Sequence, residues 1–171
     1  YEVLKSNAKA VEKDDIAEEV PIAFVYNGIS HAVMLASPSD LEDFALGFSF
    51  SEGIVENKSD IYGIEVIHQP KGIELQIEIA SARFQSLKDK RRNLLGRTGC
   101  GLCGAESLDQ ALRLPEKKID ITLTIKETAI IKALEALHTT QSLQKKTGAT
   151  HACAWANEQG EIQLVREDVG R

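Results

Sequence analysis

From Ile73 to Ile79 apolar and polar side chains alternate without a break, with Ile73, Leu75, Ile77 and Ile79 set against Glu74, Gln76 and Glu78. A helix would scatter that pattern around its whole circumference, whereas a strand collects the apolar members on one face. The stretch therefore belongs to a sheet with one buried face and one wet face. Ile64-Glu65-Val66 alternates ahead of it, and Pro70-Lys71-Gly72 is the turn between the two. An earlier pair of apolar, partly β-branched runs, Val20 to Val25 and Ile29 to Leu35, flanks Asn27-Gly28. Asn-Gly in that setting is the strongest short-range hairpin signal.

Helices separate and follow these hairpins. Ser37-Pro38-Ser39-Asp40 reads as a helix start, and Leu41, Phe44, Ala45 and Phe48 fall on one face at i, i+3, i+4 and i+7, with Gly53 as the stop. Glu106 to Leu114 is helical by pattern and ends at Pro115. After a strand-like stretch from Ile119 to Leu123, Thr124-x-x-Glu127 reads as a capping box for a helix whose apolar face is Ile130, Ile131, Leu134 and Leu137. Gly148 precedes a last strand pair, Thr150 to Ala156 and Glu161 to Val165, joined across Asn157 to Gly160. The fold class is α/β, or α+β overall, in two parts. Residues 1–115 form a hairpin-rich N-terminal domain and residues 116–171 the opening of a second domain.

A length of 171 residues allows a real core, and 43% hydrophobic against 27% charged residues is ordinary for a soluble globular chain. A net charge of −6 argues against general nucleic-acid binding, which needs a basic footprint. Three cysteines are too few, and odd in number, for a secreted disulfide framework. The apolar runs are short and interrupted by charges, so no membrane span is expected, and no charged-then-apolar leader opens the chain. A reducing cytoplasm is the expected compartment. The start at Tyr1 rather than a methionine, and the stop directly after a strand-like segment, suit a fragment of something longer.

The chemistry is densest in Arg97-Thr98-Gly99-Cys100-Gly101-Leu102-Cys103-Gly104. Glycines interleave with the thiols and leave the backbone free to present them. From Arg83 to Arg97 six cations (Arg83, Lys88, Lys90, Arg91, Arg92, Arg97) face one anion, Asp89. Positive neighbours lower a thiol pKa, each unit being worth roughly 1.4 kcal/mol. Taken as a basic loop, this run counts against a thioredoxin-type pair, in which the motif leaves a strand and enters a helix. It suits a reactive thiolate that carries a persulfide. Two small residues in a Gly-rich turn are the plain alternative. A zinc site is a third, since His151 and Cys153, two apart on a strand, could join Cys100 and Cys103 in a Cys₃His set. Against it, a cysteine beside Trp155 in an apolar strand is more often core. Arg166, Glu167, Asp168 and Arg171 form either a surface charge cluster or the rim of an anion or guanine pocket. His68 and His138 read as ordinary surface or core histidines.

Several of these segments, in this order, resemble the formate dehydrogenase accessory sulfurtransferase family, FdhD. They are Glu19-Val20-Pro21-Ile22 with Tyr26-Asn27-Gly28, Asp43 to Phe48 running into Ser51-Glu52-Gly53-Ile54, the cysteine motif, Thr147-Gly148 with His151-Ala152, and the closing Arg166 to Arg171. The resemblance implies a cytoplasmic homodimer with a cytidine deaminase-like α/β domain following the smaller N-terminal one. It implies a sulfurtransferase that relays a persulfide sulfur from a cysteine desulfurase to the molybdopterin guanine dinucleotide cofactor (molybdenum or tungsten), which is then inserted into formate dehydrogenase. On that reading Cys100 carries the persulfide and Cys103 assists, Arg97, His151, Asp168 and Arg171 are the cofactor-binding candidates, and no permanent metal is held. In the family the chain continues past the position of Arg171 with much of the cofactor site, and Cys153 falls at a small apolar position, which favours core. A structural zinc-binding interaction module and a molybdenum-cofactor chaperone without sulfur transfer are the competing functions. Deaminase chemistry is not expected, because the His-x-Glu and Pro-Cys-x-x-Cys elements are missing.

Overall fold

The computed structural model describes residues 2–3, 12–92 and 123–170. The strands are β1 (Glu2–Val3), β2 (Glu12–Lys13), β3 (Val20–Tyr26), β4 (Ile29–Ala36), β5 (Ile61–Gln69), β6 (Gly72–Ile79), β7 (His151–Ala156) and β8 (Ile162–Asp168). The helices are α1 (Leu41–Ser51), α2 (Ser81–Arg92), α3 (Glu127–Thr140) and α4 (Ser142–Thr147). The mixed α/β class expected from the alternation of hairpins and helices is the class observed. The chain divides into two compact units, and the first described here is Val20–Leu35 with Ser39–Asp120. The second joins Tyr1–Glu19, Ala36–Pro38 and Ile121–Arg171. The boundary expected at 115/116 lies outside the described residues, as do the expected helix from Glu106 to Leu114 and most of the strand from Ile119.

The first unit is a four-stranded sheet in the order β4-β3-β6-β5. Asn27 (φ 45°) and Gly28 (φ 79°) both adopt positive φ, the requirement of a type I′ turn, so the Asn-Gly hairpin forms as expected. The Asn27 side chain also donates to the Ile79 carbonyl (2.9 Å) and accepts from the Ile79 amide (2.8 Å), which ties the turn to the end of β6. β5 and β6 are antiparallel, whereas β3 and β6 run parallel with Phe24 opposite Leu75. Ile73, Leu75, Ile77 and Ile79 are buried, and Glu78 on the opposite face is exposed. β3 contributes Ile22, Phe24 and Tyr26, all fully buried. Phe24 packs against α1, edge-to-face with Phe44 and tilted against Phe48, at ring distances of 5.0 and 4.3 Å. The Tyr26 hydroxyl meets Ser49 Oγ at 2.8 Å, and burial pushes its pKa above the ordinary tyrosine value.

α1 stops as expected: Gly53 takes φ 61° and its amide reaches the Phe50 carbonyl. Its start differs from the expectation. Asp40 is the N-cap in a left-handed conformation, and its side chain makes no cap hydrogen bond. Pro38 lies ahead of the helix rather than in its first turn. The basic run read as a loop is helical from Ser81 to Arg92. The segment contains neither Pro nor Gly, and its straight-chain side chains lose little rotamer freedom in a helix. Gly72 (φ 149°) lies against Pro21, where an added Cβ would strike the Pro21 carbonyl oxygen.

In the second unit β1 pairs with β2, and β7 with β8 forms an antiparallel ribbon that packs on α3. Gly160 (φ 74°), in the turn of the ribbon, sits so close to the Ala129 carbonyl that no side chain fits. α3 begins at Glu127 with Lys126 as N-cap and no side-chain cap, so the expected Thr124 capping box does not form. Its apolar stripe is also not core. Ala129 is buried, but Ile130, Ile131 and Leu134 are exposed, Leu134 at 58%. A two-stranded ribbon is narrower than the apolar arc of a helix, which usually spans 100° or more.

Candidate functional site

Cys100, Cys103 and Arg97 lie outside the described residues, as does Arg171. Two described regions carry the neighbouring candidates, each within its own unit: α2, which precedes the cysteine motif in sequence, and the ribbon with His151 and Asp168.

α2 leads toward the motif and is fixed at its first turn. Arg83 donates to both carboxylate oxygens of Glu56 at 2.5 Å and to Asp60 at 3.1 Å. Asp60 also accepts the backbone N–H groups of Glu56 and Asn57, each at 3.0 Å. These amides, ahead of the Arg83 charge, hold the Asp60 carboxyl below its ordinary pKa. Arg83 is thus committed to two carboxylates and is not a free positive neighbour for a distant thiol. The sequence count of six cations overstates the local field by this one. Leu87 is buried on the inner side of α2, and Lys88 lies over the Phe84 ring at 4.4 Å.

The ribbon orders the rest by alternation. Along β7, His151, Cys153 and Trp155 are exposed while Ala152, Ala154 and Ala156 turn inward. In register across the strands stand Asp168 opposite His151, Arg166 opposite Cys153 and Leu164 opposite Trp155. Two of the four cofactor-binding candidates, His151 and Asp168, are therefore direct cross-strand neighbours although 17 positions separate them (168 − 151). The expectation that Cys153 is core is overturned, for its thiol is exposed and forms no disulfide. Trp155 beside it is 73% exposed. The physical reason is again the ribbon: its inner face is filled by three alanines against α3, which puts the larger alternate residues outside. Among the described residues no group of three His, Cys, Asp or Glu side chains is disposed to hold a metal.

Glu167 and Asp168 are adjacent in sequence and do different work. Glu167 accepts the backbone N–H of Leu143 (3.0 Å) and Gln144 (2.8 Å) and the hydroxyls of Ser142 (3.2 Å) and Thr150 (3.3 Å). Partial burial works to raise its pKa, but the amides of Gln144 and Leu143 at the α4 N-terminus outweigh it, so the carboxyl titrates below its ordinary value. It is a helix cap. Asp168 instead accepts the Ser37 amide through Oδ1 (2.6 Å) and the Gly170 amide through Oδ2 (2.8 Å), while Ser37 Oγ accepts the Val169 amide (3.2 Å). Ser37, buried at 6% exposure, is a residue the sequence assigned to a helix start. No sequence signal links it to a carboxylate 131 positions away. The result is an oriented carboxylate beside an exposed imidazole, next to a thiol and a guanidinium, on a strand face that ends in an indole.

The described residues form a mixed α/β fold with a four-stranded sheet and a two-stranded ribbon, and the sequence adds a Gly-spaced thiol pair. The FdhD/NarQ family model matches residues 17–171, and the chain belongs to that family. A relative named Sulfur carrier protein FdhD from Cupriavidus necator is 59% identical over 158 residues, which cover 92% of this chain and 54% of that one. Relatives of the same name from Bordetella petrii and Xanthomonas euvesicatoria are 54% and 51% identical, over 95% and 98% of this chain and 58% and 59% of theirs. The chain thus spans little more than half the length of these relatives. A crystal structure described as a formate dehydrogenase accessory protein from Desulfotalea psychrophila superposes with a TM-score of 0.58 at 23% identity, over 100% of this chain and 59% of that one. At that identity the likeness establishes the fold.

Proposed function

We propose that this chain is the sulfur-handling part of a formate dehydrogenase accessory protein, a sulfurtransferase with Cys100 as its carrier. The observation that carries this reading is the family match over residues 17–171, with the Cys100–Cys103 pair inside it and relatives of 50% identity or more named as sulfur carriers. The Cys100 thiolate attacks the outer sulfur of a persulfide on a cysteine desulfurase. A new S–S bond forms, and the donor leaves as its own thiolate. Release as sulfide needs two electrons, and a second thiol supplies them. Cys103 attacks the inner sulfur of the Cys100 persulfide, the pair closes to a disulfide, and hydrosulfide departs toward the metal of a molybdopterin guanine dinucleotide cofactor held as cargo. Arg97, His151, Asp168 and Arg171 are the residues proposed to meet that cargo, and a homodimer in the cytoplasm is the proposed working form. The field from α2, less the committed Arg83, favours the thiolate.

The test is direct. The protein incubated with a cysteine desulfurase and cysteine gains one sulfur on the Cys100 peptide, read by mass spectrometry, and Cys100→Ala does not. Full activation of formate dehydrogenase by Cys100→Ala would overturn the reading.

A further inference from the structure

Two hydrogen bonds run in opposite directions between Ser37 and the turn that ends β8. The Ser37 amide donates to Asp168 Oδ1 (2.6 Å), and Ser37 Oγ accepts the Val169 amide (3.2 Å). The Gly170 amide closes the turn on Asp168 Oδ2 (2.8 Å). A Cβ placed on Gly170 would lie 2.8 Å from that same oxygen, so the carboxylate already fills the space a side chain would need. Ser37 is buried within the ribbon unit. Pro38 follows it and disfavours helical backbone at position 37, which narrows the directions its amide can take. Asp168 is half-buried and stands opposite the exposed His151. Each of its carboxylate oxygens receives one backbone N–H and keeps a second lone pair.

We propose that Ser37 is a positioning residue of the cargo site, holding the Asp168 carboxylate so that its remaining lone pairs accept N–H donors of the cargo's guanine. A carboxylate held by two amides on folding loses no rotational freedom when a ligand arrives, and that preorganisation strengthens binding. Backbone alone does not hold it. Val169 links Asp168 to Gly170, and removal of the Ser37 hydroxyl strips the Val169 amide of its acceptor. The turn then loosens, and with it the Gly170 amide that orients Oδ2. The inference rests on the cargo reading given under Proposed function, in which Asp168 meets the guanine dinucleotide, and adds a residue distant from it in sequence.

Two readouts on the whole chain test it. In amide spectra the Gly170 proton should move upfield in Ser37→Ala and stay in place in Ser37→Thr, which keeps a hydroxyl. In calorimetric titration with guanosine diphosphate, Asp168→Asn should weaken binding about twentyfold and Ser37→Ala about fivefold, with Ser37→Thr within about twofold of the parent. Glu167→Gln loosens the same unit at the α4 cap and should leave the affinity within about twofold, which separates lost orientation from lost stability. A Gly170 resonance unmoved by Ser37→Ala overturns the positioning role. So does parental affinity in Ser37→Ala while Asp168→Asn binds weakly, and either result leaves the cargo site standing. A parent that does not bind the nucleotide, or binding that Asp168→Asn does not weaken, overturns both the positioning role and the place of Asp168 in the site. Sulfur capture at Cys100 is read separately and survives that result.

Discussion

The two units hold themselves together by different physics. In the sheet unit Ile22, Phe24, Tyr26, Leu75, Ile77 and Ile79 are all at or below 1% exposure, a continuous apolar layer under α1. Among the described residues of the ribbon unit the buried ones are small or polar, namely Ala36, Ser37, Ala129, Thr150 and Gly160, and large apolar side chains such as Leu134 and Trp155 lie outside. Its order comes from hydrogen-bonded clamps: Glu167 on the α4 amides, Asp168 with Ser37, and Asn157 across its own turn, where it meets Glu161 at 2.8 Å. One unit is driven by removal of apolar surface from water, the other by satisfaction of polar groups at specific points. The second mode is weaker and more sensitive to pH.

Three measurements sharpen or break that contrast. The largest effect belongs to Phe24→Ala, which removes a fully buried ring that packs against two others and should cost about 3–5 kcal/mol in urea denaturation. A loss under 1 kcal/mol would mean that the sheet unit does not rely on its core.

Next comes Glu167→Gln, which leaves the α4 amides and the Thr150 hydroxyl without a charged acceptor and should cost about 1–2 kcal/mol at pH 7. Because the folded pKa of Glu167 lies below its ordinary value, the carboxylate stabilises the fold above pH 4.5. That contribution fades as pH falls through the folded pKa. The variant should therefore lose less stability than the parent between pH 5 and about pH 3. Equal losses in both proteins would rule out the clamp.

The smallest effect is that of Trp155→Ala, which removes a side chain already largely in water and should change stability by less than about 0.5 kcal/mol. Trp155 is the only tryptophan of the chain, so its emission should match that of a solvated indole. A strongly blue-shifted spectrum would show that the ribbon face is covered.

Legibility from sequence followed that divide only in part. The run from Ser81 to Arg92 in the sheet unit, read as a loop, is a helix, while the ribbon's strand pair was read correctly. The sheet unit was readable because its signals are local. The Asn-Gly turn, the seven-residue alternation ending at Ile79 and the apolar spacing of α1 each act within a few residues. The cysteine motif and the family resemblance were readable for a similar reason, since both are strings of neighbouring residues. In the ribbon unit the same reasoning found the strand pair but misled at two positions. Thr124-x-x-Glu127 has the spacing of a capping box but does not cap, and Cys153 has core-like neighbours but lies outside.

Sequence alone therefore determined strands β3 to β8, the turns between them, the mixed α/β class and the chemical interest of Cys100 and Cys103, because backbone sterics and side-chain periodicity act at short range. Tertiary structure decided which hairpins join, through the parallel pairing of β3 with β6. It also turned Glu167 inward as a helix cap, and brought Asp168 beside His151 and under Ser37. These outcomes depend on contacts between residues far apart in the chain, whose closure local propensity cannot specify.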